Sequence, residues 1–322
     1  MVAMRRWSWI GWTLLGMAWA LILCALLGRY WPVADAFASF LPFAGVLALF
    51  ALPMAPRRAR WGFVGLGIVA LGLVSWPILR EIGARPSAIE PPAGAERLVV
   101  VTHNLHGGVT TPDRAAAVLR NSGADVLLLQ EARQAGPLLA QLATDFPYRS
   151  HCQGCELAIL SRRPMGRVHW RLTNRAGQIV GPALFRGDVT LPGGAVVTVA
   201  TVHAPWPYPP QPQTRFRRSL IDGIRETGSD RMVLSGDFNL TPWGHGMAEL
   251  DHGLSPMRRI TRALFSFPAR MAGRDWPVPL LPIDQIFIGR DIRVGRVDVL
   301  PYTGSDHRAI RAELYVSGRP AP

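Results

Sequence analysis

Four short strings place a carboxylate, amide or imidazole at the end of an apolar run: Leu129-Gln130-Glu131, Gly236-Asp237-Phe238-Asn239, Ile283-Asp284-Gln285-Ile286 and Ser305-Asp306-His307. These residue types suit phosphoester hydrolysis. That reaction needs a cation on the phosphoryl oxygens, a water in line with the leaving group, and donors to the charge that builds up. Alone, Gly236-Asp237 also reads as a turn, Gln130-Glu131 as a polar strand exit, and Ser305-Asp306-His307 as a loop with a surface histidine. Together, with Asn104 and His203 also following β-branched runs, they are hard to obtain from core packing.

Glu131 is the best metal-ligand candidate, because it directly follows Val126–Leu129, where a buried charge is costly without a cation or partner. Mg²⁺, or Mn²⁺ in its place, takes oxygen ligands of this type. Asp237 and Asn239 alternate, so a regular strand points both to one face while Phe238 enters the core. The carboxylate would orient water and the amide would grip phosphate. The same parity sends Asp306 towards a metal and His307 towards the phosphate from another side. Asp284 can accept from His307 and keep its imidazole charged or in the correct tautomer.

The elements that must position these groups are mostly strands. Leu98–Leu105, Asp125–Leu129, Leu157–Ser161, Gly181–Leu191, Ala195–Val202, Met232–Ser235, Ile283–Gly289 and Ala309–Val316 read as strands. Pro192-Gly193-Gly194 marks a hairpin. Helices are expected from Thr111 as N-cap with Pro112 in the first position, over Pro137–Thr144 and over Gln213–Glu226. The order implies an α+β fold, a four-layer α/β/β/α sandwich whose polar strand ends converge on one rim. This domain takes residues 98–318, behind a Pro-, Ala- and Gly-rich linker at 81–97.

Residues 1–80 read as a membrane region with spans at about 7–27, 33–54 and 61–79, each long enough for a hydrocarbon core of about 30 Å. Arg5 and Arg6 precede the first span, and Arg57, Arg58 and Arg60 lie between the second and third, while the first connection carries Arg29 offset by Asp35. The positive-inside bias then puts the N-terminus in the cytoplasm and everything after Leu79 outside the inner (cytoplasmic) membrane. A cleavable signal peptide fits less well, since Arg29-Tyr30-Trp31-Pro32 stands where a small-residue cleavage site should follow.

Net charge is +13, and the 35 basic residues are all Arg. Such a surface attracts phosphates in nucleic acid, anionic lipid or a small substrate without choosing among them. Arginines and aromatics interleave over Met257–Met271, which suits stacked bases, an amphipathic segment on a membrane, or an ordinary packed helix. Outside the cytoplasm Cys152 and Cys155 would favour a small disulfide loop; a zinc knuckle lacks two further ligands.

The ordered set Asn104, Gln130-Glu131, His203-Ala204-Pro205, Gly236-Asp237-Phe238-Asn239, Asp284 and Ser305-Asp306-His307 resembles the endonuclease/exonuclease/phosphatase superfamily, with its DNase I-like fold. The resemblance implies that Glu131 and Asp306 hold Mg²⁺ with Asn104 nearby. It also implies that Asp237 and Asn239 orient the nucleophilic water and phosphate, and that His307 with Asp284 stabilises the transferring phosphoryl group. His203 would be a second phosphate-contacting imidazole, supported in some members by a glutamate at the position of Glu156. Three spans before an outward-facing domain are similar to the bacterial VanJ group linked to teicoplanin resistance, which implies a lipid-linked or cell-envelope phosphate as substrate and the bilayer as partner. The alternatives are an extracytoplasmic nuclease acting on DNA or RNA, and a catalytically silent binding module.

Overall fold

The computed structural model describes residues 2–107, 111–150 and 154–317. Cys152 lies outside the described residues; Cys155 is disulfide-bonded. The chain divides into two compact units.

The first unit contains the N-terminal helices up to Ala84 together with Trp206–Thr214 and Leu240–Glu249. Three stretches, Trp7–Leu27, Pro32–Met54 and Arg57–Gly83, are long and apolar enough to cross a membrane. The middle one is not a single helix. It runs through Pro32–Ala36, a 3₁₀ turn at Phe37–Phe40, Leu41–Ala51 and a second 3₁₀ turn at Leu52–Met54. Prolines at the start of each α-helical piece and of the second 3₁₀ turn remove a ladder donor and favour a restart. Small residues (Ala18, Ala44, Ala48, Ala70) bring the helix backbones close, and Leu15, Ile22, Phe63 and Val74 fill the remaining space.

Asp35 does not act as a mere counter-charge in a connection. It is buried, and its two carboxylate oxygens accept from the backbone N–H groups of His245 (2.6 Å) and Gly246 (2.8 Å). These are the first residues of the helix His245–Gly253, so its orphan donors are capped by a carboxylate from distant sequence. A Cβ on Gly244 would lie 3.2 Å from Asp35 Oδ1, and one on Gly28 2.8 Å from the same atom, which keeps both positions small.

The second unit is built on two sheets. In chain order the strands are β1 (Ala95–Asn104), β2 (Val126–Gln130), β3 (Tyr148–Ser150), β4 (Leu157–Ser161), β5 (Phe185–Thr190), β6 (Val196–His203), β7 (Met232–Asp237), β8 (Arg258–Arg259), β9 (Asp284–Ile288), β10 (Ile292–Val299) and β11 (Ile310–Ser317). One sheet has the order β10-β11-β1-β2-β4-β3, the other β8-β9-β7-β6-β5. Leu98, Val100, Val126, Leu128, Ile159, Val197, Val199, Val233 and Ile286 fill the space between the sheets. The alternate residues Val99, Val101, Leu127 and Leu129 face outward onto the helices Pro112–Asn121 and Gly136–Gln141, through Ala115, Leu119, Leu138 and Leu139. Strands covered on both faces read as continuous apolar runs, as β1 and β2 do.

The sandwich is the expected one, with local differences. Thr111 precedes the helix Pro112–Asn121 but its hydroxyl donates to Thr303 O (2.9 Å), not to the helix. Met257–Met271 is not a helix; it holds the short strand β8, a loop and a second two-residue strand at Arg270–Met271.

Candidate active site

Register alone assembles most of the site. β1 and β2 are parallel with Asn104 beside Gln130. In the other sheet β6 is parallel to β7 and β9 antiparallel to it, which sets His203, Asp237 and Asp284 in one row. Gln130 does not reach the rim. It is buried, and its amide donates to Thr102 Oγ1 (3.1 Å) and to Thr201 Oγ1 on the opposite sheet (2.7 Å), a polar rivet beneath the site.

Asn104 ties the two sheets together at the rim: its Nδ2 donates to Glu131 Oε1 (2.9 Å) and to Asp237 Oδ2 (3.0 Å). Glu131 and Asn239 both adopt left-handed backbone, φ 52° and 53°, as does His106 at 48°. Non-glycine residues held there are strained, and such strain collects where function over-determines the geometry. For Asn239 it replaces the expected strand parity, since β7 ends at Asp237. The Asn239 N–H folds back onto Asp237 Oδ1 (2.8 Å), and its Nδ2 donates to Ala204 O (2.9 Å). Phe238 is buried, as expected, 5.5 Å from the Phe287 ring. Gly236 permits this corner: at φ 148°, a Cβ there would lie 1.9 Å from Val202 O.

Asp306 and His307 sit in a bend before β11 and not in a regular strand, so their directions come from local bonds. Ser305 Oγ donates to Asn104 O (2.7 Å) and accepts from His307 N (3.1 Å). His307 Nδ1 is 2.8 Å from Asp284 Oδ2; its Nε2 lies 3.7 Å from Asp237 Oδ2 and 4.0 Å from Asp306 Oδ1. Burial opposes a charge on His307, but Asp284, then Asp237 and Asp306, overcome it and push the imidazole up to about 10, so it is an imidazolium at neutral pH. Burial pushes the Asp237 carboxyl up to about 6, against the pull of His307.

His203 is the second imidazole. Its Nδ1 is 3.0 Å from Glu156 Oε1, as the glutamate before β4 was expected to provide, and Glu156 also meets Arg133 at 3.3 Å. Its Nε2 faces Glu131 Oε1 at 3.7 Å and Asp237 Oδ2 at 3.9 Å. Two further histidines were not singled out from the sequence. His106 Nδ1 pairs with Asp306 Oδ2 at 3.1 Å, and its N–H donates to Asn104 Oδ1 (2.9 Å). His103 is fully buried against Thr303 Oγ1 (2.8 Å), and burial lowers it to about 3, which keeps it neutral. The available signal was the spacing His103-Asn104-Leu105-His106 at the end of an apolar strand. The Phe267 ring, 4.9 Å from that of His307, came from a loop with no such signal.

The tightest cluster of ligand atoms is Asp237, Asp284 and His307, within 4.8 Å of one another. The 2.8 Å contact between His307 Nδ1 and Asp284 Oδ2 makes this an ion-paired cluster. The site nevertheless gathers four carboxylates, Glu131, Asp237, Asp284 and Asp306, against one imidazolium. Among the described residues Glu131 accepts one hydrogen bond, from Asn104, and Asp306 meets His106 and, at 3.5 Å, the Ser305 hydroxyl. Each keeps oxygen lone pairs for a hard cation, and the surplus negative charge favours one. The residues present fit a divalent metal.

The endonuclease/exonuclease/phosphatase family model matches residues 101–307, more than half of the chain. None of the curated proteins compared with the chain matches it. Among solved structures it is similar to an endonuclease/exonuclease/phosphatase from Beutenbergia cavernae, at 21% identity over 70% of this chain and 73% of that one, with a TM-score of 0.53. It is also similar to D. rerio TDP2 complexed with a single-strand DNA product (18%, 68% and 98%, TM-score 0.53). A third is the mannosyl-6-phosphatase Bt3783 of Bacteroides thetaiotaomicron (15%, 67% and 99%, TM-score 0.52). At these identities the structures speak for a shared DNase I-like fold. With the family model laid over every strand end that carries the site, the chain belongs to the endonuclease/exonuclease/phosphatase family of metal-dependent phosphoester hydrolases.

Proposed function

We propose that the protein is a membrane-anchored, Mg²⁺-dependent phosphoesterase acting on a lipid-linked or cell-envelope phosphate, of the VanJ type, with its catalytic unit on the extracytoplasmic side of the inner membrane. The observation that carries the reading is that one chain joins three helical stretches long and apolar enough to cross a membrane to a phosphoesterase site. A tethered site meets membrane-borne phosphates at high effective concentration and nucleic acid only by chance encounter. The arginines flanking the apolar helices support the orientation.

Asp237 is the general base of this reading. Its raised carboxyl lies close to working pH, where a base balances protonation state against driving force, and it takes a proton from the attacking water. Asn239 Oδ1 is bonded to no described group, and its second amide hydrogen is directed to a phosphoryl oxygen. The His307 imidazolium, held by Asp284, donates from Nε2 to the charge that develops in line with attack, and His203, held by Glu156, donates from the other side. Glu131 and Asp306 would hold the divalent cation with Asn104 beside them; when bound, it neutralises phosphoryl charge.

The test offers detergent-purified full-length protein a polyprenyl diphosphate and plasmid DNA in parallel, with Mg²⁺. Phosphate release from the lipid is the expected result. DNA nicking alone would reassign the chain as an anchored nuclease.

A further inference from the structure

The two strands that deliver His203 and Asp237 lead directly into segments of the helical unit. β6 ends at His203 and β7 at Asp237, while Trp206–Thr214 and Leu240–Glu249 belong to the compact unit of the N-terminal helices. The two exits are tied to each other at the rim. Ala204 N donates to Asp237 O (2.8 Å), and Asn239 Nδ2 donates to Ala204 O (2.9 Å). Asn239, the last residue before the second segment, is held at φ 53°, a conformation that persists in a non-glycine residue only where its surroundings over-determine it. On its N-terminal side the restraint is the bond from its own N–H to Asp237 Oδ1.

On its C-terminal side the restraint comes from distant sequence. Leu240 and Thr241 are buried, Gly244 N closes a turn on Thr241 O (3.0 Å), and Trp243 packs against the helix side chains around Leu15, Ala44 and Phe63. The turn opens directly into the helix His245–Gly253, whose first two N–H groups rest on the Asp35 carboxylate at 2.6 and 2.8 Å. Asp35 stands in the first turn of the second apolar stretch, where a carboxylate is costly unless its oxygens are satisfied. Here both oxygens serve one helix start. With Leu240 and Thr241 buried at one end and the capped N–H groups at the other, Leu240–Gly244 has little slack to absorb a displacement.

We propose that Asp35 is a positioning residue for the active site: by capping the helix His245–Gly253 it fixes Leu240–Gly244 and, through them, the turn in which Asn239 presents its amide. The N-terminal helices then do more than tether the catalytic strands, because a carboxylate among them sets the geometry of a site residue. The contact of Asn239 with a phosphoryl oxygen rests on the phosphoesterase reading, whereas the mechanical link does not.

The experiment is hydrogen exchange, read by mass spectrometry on the full-length protein in detergent, for the wild type, Asp35→Asn and Gly28→Ala, followed by kinetics. Asp35→Asn keeps the shape but sets an amide N–H₂ against a backbone N–H in place of one accepting oxygen. Gly28→Ala presses on Asp35 from a residue remote in sequence from the segment that is read, since a Cβ there would lie 2.8 Å from Asp35 Oδ1, and it serves if Asp35→Asn fails to fold. Either variant should exchange about tenfold faster over Phe238–His245, the scale of a lost helix cap, while β1 and β11 exchange as in the wild type. Unchanged exchange over Phe238–His245 overturns the proposal. So does an equal rise in β1 and β11, which would make Asp35 a residue of general stability only. In turnover, Asp35→Asn should lower kcat by about tenfold without moving the Mg²⁺ concentration for half-maximal rate, and combined with Asn239→Ala it should be no slower than Asn239→Ala alone, because two changes acting through one residue are not additive. Losses that multiply in the double variant overturn the link. A localised exchange response in a protein that hydrolyses no ester would keep the link and sink the phosphoesterase reading.

Discussion

His307 Nδ1 and Asp284 Oδ2 lie 2.8 Å apart, both buried, and the second Asp284 oxygen has no hydrogen-bond partner among the described residues. Asp284 thus serves to hold a charged imidazole with Nε2 turned to Asp237 and Asp306. Asp284→Asn should keep the shape, remove the charge that maintains the imidazolium, and lower kcat by about 10²-fold or more with little change in KM. Steady-state kinetics on any hydrolysed ester check this; unchanged kcat would remove His307 from the chemistry.

Glu156 stands behind His203 as Asp284 stands behind His307, but more exposed and shared with Arg133. Glu156→Gln should therefore cost less, about tenfold in kcat. A loss as deep as that of Asp284→Asn would make the two imidazoles equal partners.

Chelation should abolish hydrolysis and added Mg²⁺ restore it. Glu131→Gln should raise the Mg²⁺ concentration for half-maximal rate by about 10- to 100-fold, read from a metal titration of activity. An unshifted titration would move the metal away from Glu131.

Gly236 admits no side chain because of Val202 O. Gly236→Ala should lower Tm by about 4 °C or more, and an unchanged melting curve would mean that β6 and β7 part more easily than their register implies.

Glu313 offers a pH test away from the metal ligands. Hydrogen bonds from Arg97, then Arg311, hold its carboxyl down at about 2, below its usual 4.5. A depressed carboxyl stabilises the fold fully above its unfolded pKa, and the stabilisation is lost as pH falls from about 4.5 towards 2. The Tm gap between wild type and Glu313→Gln should be widest near pH 7 and narrow by pH 3. A gap that is constant across this range would contradict the network.

The strands were legible because both faces of each sheet are covered, so β1, β2, β4 and β7 appear as apolar runs and their first polar residues fall at the rim. Asn104, Glu131, His203 and Asp237 were found that way. What the sequence could not show depends on distant partners. The helix His245–Gly253 has no local cap and takes its cap from Asp35. β10 alternates arginines with valines and carries a bulge at Val294/Arg296, so its apolar face is thin. Met257–Met271 has helical spacing but is drawn into loops by Arg259 pairing with Asp251 and by Thr261 bonding Gln285. The left-handed turn at Asn239 replaces the expected strand parity, and Glu131 turns the same way, because hydrogen bonds with Asp237 and Asn104 outweigh local preference.

The proposed metal-dependent hydrolysis turns on Asp237. The most direct measurement is Mg²⁺-dependent release of product from p-nitrophenyl phosphate and its bis ester by full-length wild type and Asp237→Ala, both checked for native folding. A loss of about 10³-fold or more in kcat on whichever ester is turned over is the predicted result. Equal turnover by the two proteins would contradict it.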